Sequence, residues 1–376
     1  MKNVLVFFGG ASSEHDVSVV TGVMTANCLG GKYNAVPVYI DRENRWFTGD
    51  MLKDLSWYKT ENFKAVQKAA VFAGDPCLYA VKKNRIKPLL RAYCAINCLH
   101  GLNGEDGSLA GILRLSGIPF ASPSIFSSAA SMDKYSTKIA LKGIGVKTLR
   151  YVKADREEYY ADRAKVVKET VGKIGLPLIV KPSNLGSSIG ITLVKSEEEL
   201  FDAFDLAFRF DASAIVEVAL ENFREINCAC YRSDGKCVVS ETEEPVSAND
   251  ILTFEDKYGA GAERKFPADI PENVSGKIKK ITEDVYRKLG FTGVIRIDYL
   301  LKDGVVYLNE INSVPGSLAY YLFTDSTENF SVMLGELIEE GIKEHNKYKS
   351  NVFSYGKSNL SFSFGKGGTK GGVTKK

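Results

Sequence analysis

The sequence predicts an α/β protein built from two or three packed domains. Its 376 residues exceed what one ordinary core accommodates. Short β-rich runs alternate with helical patterns in the first third of the chain, which is typical of an open, largely parallel sheet. Apolar residues make up 44% and charged residues 25%, an ordinary globular composition. These observations together predict the α/β class.

Residues 1–122 are predicted to form the first domain, an open and largely parallel α/β unit. Apolar runs of strand length predict its strands, and the periodic stretches between them predict its helices. The strands are predicted at 3–9, 36–40 and 92–99, and the helices at 13–29 and 105–116. The segment 41–90 between the second and third strands matches none of the motifs described below.

Two further domains are predicted at 123–220 and 221–346, followed by a tail at 347–376. The middle domain is expected to contain helices at 127–143, 155–174 and 196–208, and strands at 178–181, 191–194 and 214–218. The third is expected to contain strands at 225–231, 236–241 and a pair near 293–311, helices at 272–289 and 328–346, and an aperiodic stretch at 247–265. Ser, Gly and Lys dominate the tail, which predicts disorder.

Charge, hydropathy and cysteine usage argue against several classes of protein, including nucleic-acid-binding, membrane-spanning and disulfide-rich ones. The formal net charge is +3, and five lysines in the last 26 residues exceed that surplus, so the main body has no basic excess for nucleic acid. No apolar run approaches the roughly 18 residues of a membrane span, and the apolar start is too short for a signal peptide. We therefore expect a cytoplasmic protein. The seven scattered cysteines are expected to be reduced thiols.

The run KPSNLGSSIG, residues 181–190, joins two predicted strands through a glycine-rich loop. Glycine permits positive φ and close backbone approach, so the N–H groups of this loop, with the hydroxyls of Ser187 and Ser188, can surround a phosphate. The loop is not a P-loop, because no helix opening with Gly-Lys-Ser/Thr follows it. An ordinary hairpin is the alternative.

The run 293–316 carries a candidate metal site on two alternating strands. A three-residue loop at Lys302-Asp303-Gly304 would place Asp298 opposite Leu308, whereas a two-residue turn would place it opposite Asn309 and split the polar group. In the first register one face of the sheet carries Arg296, Asp298, Glu310 and Asn312. Carboxylates and amide oxygens suit Mg²⁺. A solvated sheet face with an Arg–Glu pair is the alternative.

Four further charged residues are candidates on position alone. Glu14 follows Gly9-Gly10 at the start of a predicted helix, where free N–H groups favour anions; a carboxylate there also caps helices, and both interpretations stay open. Lys134, Lys181 and Lys257 lie near predicted loops or helix starts. Surface lysines are usually only solvated. With three histidines, neither a catalytic triad nor a zinc site is credible.

Taken together, the motifs resemble those of the D-alanine–D-alanine ligase family, within the ATP-grasp superfamily. Order and spacing both match over residues 3–345. The matching runs are GGASSEHDVS (9–18), LHGLNGEDGSLAG (99–111), SMDK (131–134), VKPSNLGSSIG (180–190), EDKYGAG (255–261), GVIRIDYLL (293–301) and NEINSVPG (309–316). The resemblance implies an ATP-grasp fold in which the second and third domains clasp ATP. It also implies ligation of two D-alanines through an acyl phosphate, for peptidoglycan precursor synthesis.

The resemblance also implies roles for individual residues. Nucleotide binding would fall to Lys134, Lys181, Ser188, Glu217, Glu225 and Lys257. Two Mg²⁺ ions, for which Mn²⁺ could substitute, would be held by Asp298, Glu310 and Asn312. Catalysis and binding of the first D-alanine would involve Glu14, Ser187, Tyr258, Arg296 and the N–H of Gly316, with His100 near the same site. The stretch 247–265 would close over the reactants. A homodimer is expected, with small-molecule substrates and neither nucleic acid nor membrane as partner.

The segment after Pro315-Gly316 departs from the family pattern. The serine that holds the carboxylate of the second amino acid corresponds to Ser317, followed by Leu318, if four residues are deleted, and to Tyr321 if no gap is introduced. The acceptor is therefore the least determined feature, and D-serine or D-lactate is the alternative to D-alanine. An inactive nucleotide-binding protein is a remoter alternative, because the phosphate and metal residues are all present.

Overall fold

The computed structural model describes residues 1–83, 85–245 and 264–353. Its strands are β1 (Lys2–Gly9), β2 (Tyr33–Ile40), β3 (Trp46–Thr48), β4 (Gln67–Phe72), β5 (Asp75–Lys82), β6 (Arg85–Arg91), β7 (Cys94–Asn97), β8 (Phe120–Ala121), β9 (Tyr151–Asp155), β10 (Leu178–Pro182), β11 (Thr192–Val194), β12 (Ser213–Val218), β13 (Arg224–Ser233), β14 (Lys236–Val239), β15 (Glu244–Pro245), β16 (Arg264–Lys265), β17 (Ile295–Lys302) and β18 (Val305–Asn312). Its helices are α1 (His15–Cys28), α2 (Ser108–Ser116), α3 (Ile125–Met132), α4 (Lys134–Gly143), α5 (Arg156–Ala161), α6 (Arg163–Ile174), α7 (Glu197–Phe210), α8 (Glu272–Lys288) and α9 (Thr327–Lys349). Among the described residues, no helix is both long enough and apolar enough to cross a bilayer.

The N-terminal sheet has the order β6-β5-β4-β3-β2-β1-β7-β8. Strands β2, β1, β7 and β8 are parallel, which confirms the predicted parallel unit. Strands β3 to β6 continue the sheet in antiparallel fashion and occupy the segment for which no motif was found. The edge strand β6 is largely exposed, and its basic residues and Pro88 are features that discourage pairing with another chain.

The central domain is a four-stranded antiparallel sheet of order β11-β10-β12-β9. Helices α6 and α7 pack on it around a core that includes Val180, Phe204 and Val216. The single helix predicted at 155–174 is wrong: α5 ends at Ala161, and the side chain of Asp162 accepts a hydrogen bond from the N–H of Lys165 and begins α6. Asp competes with the helix for backbone hydrogen bonds, so it favours a new start over continuation.

The C-terminal sheet, of order β14-β13-β17-β18, is antiparallel and covered by α8. Leu141 of α4 lies in this core, and α3 and α4 contact β18. The predicted helix 127–143 is two helices separated at Asp133, whose side chain accepts from the N–H of Ser136. Helices α3 and α4 thus pack with the C-terminal sheet, and the core of the central sheet begins with β9.

The N-terminal and C-terminal domains share one hydrophobic core. It joins Val6 and Ile96 of the first sheet to Ala229 of β13 and Leu334 of α9. Contact is close enough that a Cβ on Gly341 of α9 would lie 2.6 Å from the carbonyl oxygen of Phe120. These two domains therefore pack as one unit, whereas the central sheet has a separate hydrophobic core.

The β17–β18 hairpin differs from the predicted register. Lys302 pairs with Val305 across a two-residue turn, so the predicted three-residue loop is wrong. The register then shifts between Asp298 and Tyr299, and Asp298 pairs with Glu310 rather than with Leu308. Asn309 is the extra residue of a β-bulge. Because side chains alternate with period two, this one extra residue restores the predicted shared face.

Candidate functional site

Two adjoining cavities lie where the three domains meet. They share Lys134, Leu185, Gly186 and Glu310. The first, here called the substrate cavity, is bordered by the start of α1, the loop after β7 and the segment after β18. The second, here called the nucleotide cavity, lies between the central sheet and β17–β18. The glycine-rich loop at 181–190 separates them.

Glu14 points into the substrate cavity. It occupies the N-cap position of α1 but makes no side-chain capping bond; instead its Oε1 accepts a hydrogen bond from the hydroxyl of Ser187 at 2.5 Å. A Cβ on Gly186 would lie 2.9 Å from the Oε2 of Glu14, so a larger residue here would displace that carboxylate. The structure therefore contradicts the capping interpretation. The hydrogen bond between Glu14 and Ser187 also joins the glycine-rich loop to the N-terminal domain.

A hydrogen-bond chain through His100 connects the N-terminal domain to the segment after β18. Nδ1 of His100 donates to the carbonyl of Val314 at 2.6 Å, which leaves Nε2 to accept from the hydroxyl of Thr21 at 2.8 Å. That hydroxyl oxygen accepts from the N–H of Ser317 at 3.0 Å. The chain is consistent with a neutral imidazole carrying its proton on Nδ1. His100 therefore positions the backbone bordering the cavity.

Glu105 also faces this cavity, and the sequence did not single it out. Its Oε1 accepts from the N–H of Val314 at 3.3 Å and lies 3.8 Å from Nδ1 of His100. Burial raises the pKa of Glu105 to about 7, an effect that the nearby Glu14 carboxylate reinforces and that His100 opposes. It lies in the GEDG run of the second motif, which is the signal that could have indicated it.

The predicted metal residues lie together on the β17–β18 hairpin, where Asn312 borders the substrate cavity. Asp298 accepts from Nε and Nη2 of Arg296 at 2.7 and 2.9 Å and from the amide nitrogen of Asn312 at 3.1 Å. Glu310 pairs with Asp298 across the hairpin and borders both cavities. With its amide nitrogen on Asp298, Asn312 has its amide oxygen left for a cation. Two carboxylates and one amide oxygen are a hard donor set that fits a divalent cation of the Mg²⁺ type.

A buried ion triad forms one end of the nucleotide cavity. The carboxylate of Glu217 lies 2.5 Å from Nζ of Lys138 and 2.7 Å from Nζ of Lys181. Burial would raise the pKa of Glu217, but Lys181 and Lys138 outweigh burial and hold it at about 2. Lys138 was not selected from the sequence: a lysine one turn after Lys134 reads as a solvated helix face, yet its side chain is only 2% exposed.

The two lysines predicted to contact phosphates have different environments. Burial lowers the pKa of Lys134, whose Nζ donates to the carbonyl of Leu185 at 2.5 Å. Burial also acts to lower the pKa of Lys181, but the carboxylates of Glu217, Glu310 and Glu225 prevail, and that pKa lies above its ordinary value. Lys181 Nζ also donates to Asn309 at 3.4 Å. Both ammonium groups border the nucleotide cavity, as do Ser188 and Glu225.

The segment after Gly316 forms a left-handed turn. Ser317, Leu318 and Ala319 have φ values of +52°, +51° and +49°, a conformation that costs about 1–2 kcal/mol per residue. Leu318 is buried in the shared core and its N–H donates to the carbonyl of Pro315. This gives Leu318 a packing role, and its predicted contact with substrate is not supported. Gly316 borders the substrate cavity.

Tyr321 is the residue of this turn that approaches the site. Its phenolic oxygen accepts from Nη1 of Arg296 at 3.2 Å. The turn was recognised from the sequence as atypical, but the pairing with Arg296 spans 25 residues and has no local signal. Lys257 and Tyr258, predicted to reach the reactants from the stretch 247–265, lie outside the described residues.

Comparison with known proteins agrees with this geometry. The family described as "D-ala D-ala ligase N-terminus" matches residues 3–123, and "D-ala D-ala ligase C-terminus" matches residues 140–343. The chain belongs to the D-alanine–D-alanine ligase family. The fold and the family resemblance expected from the sequence are thereby confirmed.

Individual family members match over most of their length. A D-alanine–D-alanine ligase of Thermosipho melanesiensis is 36% identical, over 91% of this chain and 94% of that protein. The structure of the D-alanine–D-alanine ligase from Coxiella burnetii is 26% identical, with a TM-score of 0.78 over 93% of this chain and 96% of the other. The VanG D-Ala:D-Ser ligase from Enterococcus faecalis is 27% identical, with a TM-score of 0.76 over 90% of this chain and 99% of the other.

Proposed function

We propose that the protein joins two D-alanine molecules in an ATP-dependent, ADP-forming reaction that supplies a peptidoglycan precursor. Family membership supports the reaction class. The observation that carries the proposal is the position of Glu310, which borders both cavities and pairs with Asp298 across the hairpin. A phosphoryl group passing from nucleotide to amino acid would cross between these cavities, where cation ligands are needed.

The first step requires an activated carboxylate. A carboxylate is a poor electrophile, so an oxygen of the first D-alanine attacks the γ-phosphorus of ATP and ADP leaves, which gives an acyl phosphate. Lys134 and Lys181 border the nucleotide cavity and offset the charge of the phosphates. Asp298, Glu310 and Asn312 would hold two Mg²⁺ ions, or Mn²⁺ in their place, which neutralise the transferring phosphoryl group.

Glu14 and Ser187 would hold the first D-alanine. The Glu14 carboxylate is buried in the substrate cavity and can bind the ammonium group of the substrate. Its bond with Ser187 links this recognition to the glycine-rich loop, and therefore to the position of the phosphates.

The second step is attack of an amine on the acyl carbon, with departure of phosphate. The tetrahedral intermediate carries an oxyanion, and preorganised donors stabilise it. Arg296 and the N–H of Gly316 border the substrate cavity and are proposed for this role. His100 would act through Thr21, by fixing the backbone that carries these donors.

Glu217, Glu225 and Ser188 are proposed to bind the nucleotide. The carboxylate of Glu217 is engaged by two lysines, so its proposed contribution includes holding Lys181 in the cavity.

The stretch 247–265, with Lys257 and Tyr258, is proposed to close over the reactants, because an acyl phosphate hydrolyses in water. We expect limited proteolysis within this stretch to slow when ATP and D-alanine are added together; equal cleavage rates with and without ligands would contradict closure.

We also propose that the enzyme acts in the cytoplasm as a homodimer, and analytical ultracentrifugation tests the dimer.

D-serine is the second candidate for the acceptor. The similarity to a solved D-Ala:D-Ser ligase and the altered segment after Gly316 are the reasons to test it, but the curated relatives at 33–36% identity are D-alanine–D-alanine ligases and do not favour it. Phosphate release measured with D-alanine alone, and with D-alanine plus D-serine or D-lactate, separates these acceptors. We expect D-alanine alone to support the fastest release. Faster release with D-serine or D-lactate would overturn the proposed product.

A further inference from the structure

A chain of hydrogen bonds connects the segment 41–90, which no motif explained, to the turn that precedes α1. Nδ1 of His15 lies 2.7 Å from the carbonyl oxygen of Gly10, and Nε2 lies 3.2 Å from the phenolic oxygen of Tyr39. That phenol lies 3.2 Å from Oε1 of Glu61. His15 and Tyr39 are buried, whereas Glu61 is exposed. The chain therefore runs from the start of α1 to the surface.

The protons available to this chain require a charged His15. The carbonyl of Gly10 and the ionised carboxylate of Glu61 can only accept hydrogen bonds, so Nδ1 carries a proton and Tyr39 gives its single proton to Glu61. Burial, reinforced by the Glu61 carboxylate, raises the pKa of Tyr39, so the phenol keeps that proton. Its oxygen is then an acceptor, and Nε2 carries a proton as well. An imidazolium satisfies all three contacts together, whereas a neutral ring loses one of them.

Carboxylates predominate among the charged groups next to this chain. The groups are Glu61, which the phenol contacts; Glu14 and Asp16 at the start of α1; and Asp41, Arg42 and Arg45 after β2. Asp41 and Asp16 already have arginine partners, at 2.6 and 2.7 Å. The positive end of the α1 dipole disfavours a cation at the first residue of the helix. Glu61 is therefore the group that stabilises the imidazolium, through Tyr39.

Gly10 is the point at which the His15 ring acts on the turn that carries Glu14. The carbonyl of Gly10 also accepts from the N–H of Ser12 at 3.0 Å, and the hydroxyl of Ser12 accepts from the N–H of Glu14 at 3.1 Å. A His15 ring without a proton on Nδ1 would bring two acceptors to 2.7 Å and would push this turn away. The protonated ring thus fixes the backbone from which Glu14 enters the substrate cavity.

We propose that Glu61 and Tyr39 are positioning residues for the first D-alanine: they keep His15 charged, and the charged ring holds Glu14 where it binds the ammonium group of that substrate. This inference rests on the proposed function, in which Glu14 binds that ammonium. It assigns a role to the segment 41–90, which supplies Glu61. Binding of the first D-alanine should weaken as pH rises and His15 loses a proton, because one of the three contacts is then lost.

Nitrogen-15 NMR of the histidine rings counts these protons without enzyme turnover. The chain has three histidines; His345→Gln assigns one of them, and His100, whose contacts fit a neutral ring, is the internal reference. At neutral pH we expect two ring protons on His15 in the wild type. We expect one in Glu61→Gln, which removes the charge but keeps a side-chain acceptor. Glu43→Gln, which alters an exposed carboxylate of the same segment, should leave the count at two.

The kinetic consequence is measured as the KM for the first D-alanine. Tyr39→Phe should raise this KM about two- to tenfold, the range of one net hydrogen bond, and leave the KM for ATP unchanged. Tyr33→Phe removes the same atom from the same strand, where it donates to Glu339 at 2.8 Å, and should change neither constant. In the wild type the KM for the first D-alanine should rise with pH, and in Glu61→Gln this rise should begin at a lower pH.

Each arm of the experiment has an outcome that overturns the proposal. One ring proton on His15 in the wild type at neutral pH, or the same count in Glu61→Gln as in the wild type, would refute the charged chain. An unchanged KM in Tyr39→Phe, or an equal rise in Tyr33→Phe, would refute the positioning role. Because Glu61 is exposed, Glu61→Gln keeps both arms decisive if Tyr39→Phe does not fold. A wild type that forms no dipeptide overturns the proposed function and the positioning role with it, while the proton count still decides the state of His15.

Discussion

Replacing Lys138 with methionine should destabilise the central sheet and its attachment to the rest of the molecule. Lys138 projects from α4, which packs with the C-terminal sheet, and reaches Glu217 on β12 at 2.5 Å. Both side chains are 2% exposed, so water cannot replace the lost partner. Methionine has a similar length and fills most of the volume. The substitution therefore removes one charge from a buried ion triad and leaves little cavity.

The magnitude follows from the electrostatics of Glu217. A carboxyl pKa held at about 2 instead of 4.5 corresponds to about 3 kcal/mol in favour of the ionised form. Lys181 supplies part of this stabilisation of the Glu217 carboxylate, and it is still present in the Lys138→Met variant. Removing one partner of a buried pair commonly costs about 3–5 kcal/mol, so we expect a loss of about 2–4 kcal/mol.

The assay must report on the central domain. Both tryptophans, Trp46 and Trp57, lie in the N-terminal domain, so their fluorescence does not report on the central domain. Hydrogen exchange of the β10 and β12 amides reports on it directly, and we expect this exchange to accelerate about 30- to 1000-fold in Lys138→Met. The control is Lys142→Met, an exposed position on the same helix, which should leave exchange unchanged.

The pH dependence provides a second check on the same triad. Because the pKa of Glu217 is lowered in the folded protein, its contribution to stability is present above about pH 4.5 and is lost as pH falls towards about 2. The difference in stability between Lys138→Met and wild type should therefore shrink as pH falls from about 4.5 to about 2. Equal exchange in Lys138→Met and Lys142→Met at neutral pH would refute the reasoning.

Three further predictions concern the substrate cavity and its wall. Asp298→Asn should reduce Mg²⁺-dependent phosphate release by orders of magnitude while circular dichroism stays unchanged, and near-normal turnover would exclude the metal assignment. Gly186→Ala should raise the KM for the first D-alanine about tenfold, because its Cβ would lie 2.9 Å from Oε2 of Glu14 and displace the carboxylate proposed to bind that substrate. Gly172→Ala, in open space on a helix, should leave this KM unchanged, and identical kinetics of the two variants would contradict the prediction. The pKa of Glu105 is raised to about 7, so its ionisation lowers stability as pH rises from about 4.5 to about 7. Glu105→Gln should abolish that part of the pH dependence in thermal unfolding, and an unchanged profile would count against it.

Local sequence patterns were sufficient for much of the fold and for the composition of the site. The parallel strands of the first domain, the glycine-rich loop and the shared face of Asp298 and Glu310 all follow from periodicity or from ordered motifs. The register of the hairpin does not, because a two-residue turn and a compensating bulge give the same face as the three-residue loop that was predicted. Antiparallel strands β3 to β6 were missed because β3 has only three residues and the largely exposed β4 and β6 contribute few buried side chains to an apolar pattern.

The remaining features depend on contacts between distant parts of the chain. The environments of Lys138 and Tyr321 arise only when α4 meets the central sheet and when the left-handed turn meets β17. Asp133 and Asp162 interrupt helical patterns that otherwise continue through them, and a capping bond that is worth about 1 kcal/mol leaves only a weak trace in the sequence. The sharing of one core by the first and last domains has no local signature at all.

The bulge at Asn309 has a consequence for how this hairpin can vary. Asn309 is the one residue in excess of a regular ladder between Asp298 and Glu310. Deleting Asn309 would therefore leave Asp298 directly opposite Glu310 in a regular register, with both carboxylates on the same side of the sheet. One residue inserted between Val305 and Leu308 would instead, with the turn and the bulge unchanged, move Glu310 to the other side. We therefore expect the hairpin to keep its two carboxylates together after deletion of Asn309 and to separate them after such an insertion.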